Sequence, residues 1–139
     1  MPLKPYNILT MRLFSIIFVF GGLGSYARYA LSSWALNQWG LTFPYGTLLV
    51  NLLGCLLIGI IAGLPSSALS LSLPLRVALM TGFLGGLTTF SSYEYESFML
   101  LLKGDSVKAL LNLSVSVFFG LLCVFAGYWI SRLGSLLRS

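Results

Sequence analysis

The sequence predicts an all-helical integral membrane protein with four transmembrane helices, and three observations predict it. The 139-residue chain is 58% hydrophobic and only 8% charged, whereas a soluble domain carries about 25% charged residues. So few charges cannot cover a globule in water, which makes the bilayer the solvent. The apolar residues fall into four long segments divided by short turns rich in proline, glycine and polar side chains. Inside the third segment lies a polar centre, GFLGGLTTFSSYEYE (82–96), with three glycines, two threonines, two serines and two glutamates.

The elements follow in order. Span one, about 13–34, is apolar except for Arg28. A cleaved signal peptide is the competing reading, with Lys4 and Arg12 as its basic region, Leu13 to Phe20 as its apolar region and Ser25-Tyr26-Ala27 as the cleavage site. Cleavage would leave an odd three-span chain beginning at Arg28. NQWGLTFP (37–44) is a turn with aromatics at interface depth. Span two, about 45–64, covers about 30 Å at about 1.5 Å per residue. Its Gly59 and Gly63 suit a close helix crossing. PSSALSLSLP (65–74) reads as a loop, 75–102 as the third span, KGDSVK (103–108) as a turn, about 109–130 as the fourth span and SRLGSLLRS as a short tail. Residues 1–139 thus read as a single four-helix membrane domain.

Composition excludes several classes of function. The chain has no histidine, which removes the commonest metal ligand and the usual general base. Cys55 and Cys123 lie in apolar stretches and read as small buried hydrophobes, with no CxxC between them. The net charge of +5 comes from scattered cations at segment ends, not from a basic patch, so it reads as membrane-flanking charge and not as a nucleic-acid footprint. No nucleotide-binding fingerprint is present. The short loops leave no room for an extramembrane domain, so this chain alone is no ATP-driven pump. Four spans put Lys4, Arg12, Arg76, Arg132 and Arg138 on one side, against Lys103, Lys108 and Arg28 on the other. That difference specifies orientation only weakly.

The third span is where lipid and sequence conflict. As one helix, residues 75–102 would measure about 42 Å against a hydrocarbon core of about 30 Å. Gly82, Gly85 and Gly86 weaken it by about 1 kcal/mol each relative to alanine. Thr88 and Thr89 add β-branched side chains with hydroxyls that compete for the backbone. The helix is therefore expected to break between Gly85 and Thr89, near mid-membrane. Broken backbone at that depth must be buried in protein or line water, and its freed carbonyls and amides suit ions. Around it stand Thr47 and Asn51, at i−4 and i on span two, with Ser91, Ser92 and Glu96 after the break. Asn112 and Ser116 are at i and i+4 on span four. Alone, each polar side chain serves more often as glue between helices than as a pore group; together they could supply a donor-lined track. Arg28 and Glu96 are intramembrane charges, functional by default, with mutual pairing as the plainer alternative. Glu94 points to another face, toward a vestibule.

GGLGSYARY (21–29), PYGTLLVNLLG (44–54) and GFLGGLTTFSSYEYE (82–96) resemble, in order, the CrcB/Fluc family of fluoride channels, with weaker support from LLNLSVS (110–116). The resemblance implies an antiparallel, dual-topology homodimer in the bacterial inner membrane, with two fluoride pathways built from both copies. It implies a sodium ion at the dimer centre, held by backbone carbonyls of Gly85 and Thr88. The pore phenylalanines of the family fall on Phe90 and on Tyr93, a departure. The pore asparagine falls on Asn51, the span-two threonine on Thr47, the arginine on Arg28, the span-three glutamate on Glu96 and the polar span-four position on Ser116. One turn further, where some members carry serine, this chain has Gly120, so the polar track is expected to be shorter. Asn51, Ser91 and Ser116 would donate to the anion, and the rings of Phe90 and Tyr93 would offer positive edges. The implied function is passive export of toxic fluoride, with no enzymatic step. The rivals are a small four-helix proton-coupled multidrug exporter, which needs a carboxylate that span one lacks, and a structural subunit without transport.

Overall fold

The computed structural model describes residues 8–64 and 73–137, all helix and short turns. Helix α1 (Ile8–Trp39) extends past the expected first span at both ends and stops at Gly40. That glycine adopts φ +73°, and its amide closes onto the Leu36 carbonyl at 2.8 Å, a left-handed helix end that favours glycine. Helix α2 (Tyr45–Gly63) follows. The expected loop at 65–74 gives way to helix already at Leu73; residues 65–72 lie outside the described residues, as do Lys4 and Arg138. Pro74 is accommodated because the first helical turn needs no amide from it.

The third segment is α3 (Leu73–Val77), a π-helical stretch (Ala78–Leu84), α4 (Gly85–Leu87), two extended residues and α5 (Phe90–Leu102). The interruption sits at Thr88 (φ −86°, ψ 157°) and Thr89 (φ −151°, ψ 118°). The turn at 103–105 pivots on Gly104 (φ +80°). Helix α6 (Ser106–Leu136) then runs through most of the expected tail, whose leucines continue the apolar pattern. Among the described residues α1, α2 and α6 are long and apolar enough to cross a membrane. The interrupted segment offers no single helix of that length, and α5 has 13 residues.

Helix α2 is the centre. It packs on α6 along one side and on α1 along the other, while α1 also covers the π-helical stretch and α4. The α2–α6 crossing is backbone against backbone. A Cβ on Gly59 would strike the Val124 carbonyl, and one on Gly127 would strike the Leu56 carbonyl. Lipid supplies no hydrophobic drive between helices, so this close approach of small residues is what holds them. Val50, Leu84 and Leu87 form a small buried core. Most large apolar side chains, Phe118, Phe125 and Trp129 among them, face outward.

Candidate functional site

Thr88 and Thr89 hold the interruption open through their own side chains. The Thr88 amide and hydroxyl both donate to the Leu84 carbonyl at 3.0 Å, which ends the first half. Thr89 caps the second half: its hydroxyl accepts the Ser92 amide at 3.2 Å and donates to the Ser92 hydroxyl at 3.0 Å. Asn51 of α2 clasps the gap. Its amide nitrogen donates to the Thr89 carbonyl at 3.0 Å, and its amide oxygen accepts the Thr89 N–H at 2.8 Å. One Asn51 N–H remains beyond this exchange. Gly54, one turn on, leaves room for the Thr88 methyl, which would strike any Cβ there.

These diversions change two carbonyls. In a continuous helix the Thr89 amide would serve Gly85 and the Ser92 amide would serve Thr88. Here the first goes to Asn51 and the second to the Thr89 hydroxyl. Gly85 and Thr88 therefore lose their helical amide partners, and both line one cleft. Oxygen donors of this kind suit a hard cation such as sodium, so the residues present fit such an ion.

That cleft, of about 420 Å³, is walled by Asn51, Gly54, Cys55, Thr89, Phe90, Tyr93, Ser116 and Val117 as well as the two carbonyl residues. No lining side chain carries a formal charge. The Phe90 and Tyr93 rings are 5.6 Å apart at 48°. Tyr93 is 5% exposed and Phe90 74% exposed, so one wall of the cleft is open in the single chain. The Tyr93 hydroxyl does not face an ion: it donates to the Leu113 carbonyl of α6 at 3.0 Å. The Ser116 hydroxyl is buried without a partner. Helix α5 begins in this wall, which brings its positive end to the cleft.

Thr47 and Glu96 belong to a second cleft, of about 410 Å³, between the end of α1, the 40–44 turn, the start of α2 and α5. The Thr47 hydroxyl donates to Glu96 Oε1 at 2.8 Å, while Oε2 is buried without a partner. Sequence alone separated neither cleft. Thr47 and Asn51 share a face of α2 as expected, yet each serves a different cavity. Arg28 lines neither cleft and makes no ion pair with Glu96. Ser91 is exposed and outside both, its hydroxyl 3.4 Å from that of Thr89. Glu94 is exposed.

Asn112 and Ser116, paired in the sequence, separate in role. Asn112 is 1% exposed and donates to the Ser97 hydroxyl at 2.9 Å, which donates to the Tyr93 carbonyl at 2.8 Å. It is interhelical glue. Gly120 lies against Cys55 Sγ, and both cysteines are free and half-buried, Cys55 in the cleft wall and not in a core. Sequence reasoning missed Thr89 as the cap; a threonine directly before an apolar helical run was the available signal.

Residues 15–128 match the family model described as CrcB-like protein, Camphor Resistance (CrcB). The chain belongs to the CrcB family. The match starts upstream of the considered cleavage site at 25–27, so most of the first span lies within the CrcB region. CrcB relatives share most of their length with this chain. Fluoride-specific ion channel FluC of Chloroflexus aurantiacus is 46% identical over 110 residues, covering 79% of this chain and 87% of that one. The protein of the same name from Geobacter metallireducens is 44% identical over 116 residues, 84% and 94% of the two chains. That from Rhizobium etli is 41% identical over 117 residues, also 84% and 94%.

Proposed function

We propose that this CrcB-family chain forms a fluoride-selective channel that exports toxic fluoride from the bacterial cytoplasm by passive electrodiffusion across the inner membrane. The observation that carries the reading is the uncharged cleft at the helix interruption, where an amide, an unpartnered hydroxyl, two aromatic rings and a helix N-terminus converge. It occurs in a chain 46% identical to a protein named as a fluoride-specific channel. Fluoride holds its water tightly, and a dry path must replace that water with donors. The remaining Asn51 N–H and the Ser116 hydroxyl are such donors. Phe90 and Tyr93 add weak ring-edge contacts, which let the ion leave as well as enter. The reading is of a channel, not an enzyme.

A second copy in antiparallel orientation completes the site. The exposed Phe90 ring and the open cleft wall support this, as does the weak charge asymmetry between the two faces. Carbonyls of Gly85 and Thr88 from both copies would hold a structural sodium ion, which supplies positive charge at the centre of the assembly. Lipid covers the remaining apolar faces. The test is anion efflux from proteoliposomes. Fluoride leaves, chloride stays, and a protonophore does not abolish the flux except as it sets membrane potential. Chloride flux equal to fluoride flux overturns selectivity; cation-drug transport that collapses with the proton gradient favours the multidrug exporter instead.

A further inference from the structure

Tyr93 stands where the family resemblance expects phenylalanine, and its extra hydroxyl has a defined destination in the Leu113 carbonyl at 3.0 Å. Leu113 lies three residues before Ser116 in α6. A helical hydroxyl ordinarily turns back onto the carbonyl three or four residues earlier. The Ser116 hydroxyl does not: it is buried with no partner, on a residue that lines the cleft. A carbonyl oxygen has two lone pairs. At Leu113 the helix takes one and Tyr93 takes the other, which removes one of the two local acceptors open to Ser116.

We propose that Tyr93 is a positioning residue: by occupying the Leu113 carbonyl, its hydroxyl closes one of the two carbonyls onto which the Ser116 hydroxyl could fold back, and so favours the free hydroxyl that donates to an anion in the cleft. The inference rests on the fluoride-channel reading above. It assigns the two parts of tyrosine separate tasks. The ring, tilted against Phe90, lines the cleft, and the phenol proton goes to backbone and not to the ion. The departure from phenylalanine then compensates for a short polar track, since the next inward position of α6 is Gly120, by holding its one free hydroxyl ready.

The experiment compares fluoride efflux from proteoliposomes for the native chain, Tyr93→Phe, Ser116→Ala and the double variant. Tyr93→Phe is expected to slow efflux about threefold when Ser116 is present, the lower range for one hydrogen bond. It is expected to make no further difference once residue 116 is alanine, because the group it positions is gone. This coupling is a readout that a mere strut between α5 and α6 would not produce. Equal slowing in both backgrounds, or no slowing in either, overturns the inference and leaves the channel reading intact. Absence of fluoride efflux from the native chain overturns the channel reading and the inference with it. An experimental structure of the native chain gives a test independent of how the variants fold. A Ser116 Oγ bonded to the Asn112 or Leu113 carbonyl, with Tyr93 still on Leu113, overturns the positioning role; an Oγ clear of both supports it.

Discussion

Asn51 carries the amide whose replacement separates its two tasks. Asparagine both accepts from and donates to Thr89, whereas aspartate keeps the acceptor and loses every donor. In Asn51→Asp a carboxylate oxygen faces the Thr89 carbonyl and repels an anion in the cleft. Fluoride efflux is expected to fall to background, while the protein still elutes at the size of the native assembly with a stability loss of about 1–3 kcal/mol. Unchanged efflux would return Asn51 to a purely structural role. Thr47 offers the contrasting case, because among the described residues its hydroxyl is the one side-chain partner of the half-buried Glu96 carboxyl. Thr47→Val removes that bond, and Thr47→Ser restores it. The valine variant is expected to melt at a lower temperature and the serine variant near the native one, as leaving a buried acceptor without its donor costs about 1–3 kcal/mol.

The interrupted third segment depends on a residue of a different helix. Gly54 of α2 makes space for the Thr88 methyl, so Gly54→Ala forces methyl against methyl at the point where the backbone turns extended. Overpacking of this kind costs about 1–3 kcal/mol, and here it also displaces the Gly85 and Thr88 carbonyls. Efflux is expected to drop at least tenfold, a shift of about 1.4 kcal/mol or more. Thr88→Ser removes the obstructing methyl and keeps the hydroxyl that bonds Leu84, so the double variant is expected to recover most of the loss. Failure of Thr88→Ser to rescue would mean that the glycine is needed for another reason. The weakness of this segment was legible in three glycines and two threonines. Its π-helical stretch at Ala78–Leu84 was not, because a seven-residue run with one glycine and no proline reads as ordinary helix.

The single chain presents a cleft with an open wall, an exposed Phe90 and outward aromatic side chains on α6. An antiparallel pair is expected to put each terminus on both faces of the membrane. Single cysteines placed at the two ends, in a background lacking Cys55 and Cys123, should react with impermeant reagent from either side. Labelling from one side only would exclude dual topology. In a structure of the pair, density between the Gly85 and Thr88 carbonyls of both copies should fit sodium. An unbroken helix or a dry apolar contact there would contradict it.

The sequence by itself determined the solvent, the helical class, the place of the interruption and the face that Thr47 and Asn51 share, because each follows from local composition and from the 3.6-residue period. Only the tertiary structure decided which polar groups meet. Thr47 turns to Glu96 and Asn51 to Thr89, Asn112 becomes glue while Ser116 stays free, and the Tyr93 hydroxyl finds a carbonyl 20 residues away. The physical reason is that a hydrogen bond requires its two atoms within about 3 Å. Such approach between separate helices depends on where backbones can cross, which here is where glycine lets them.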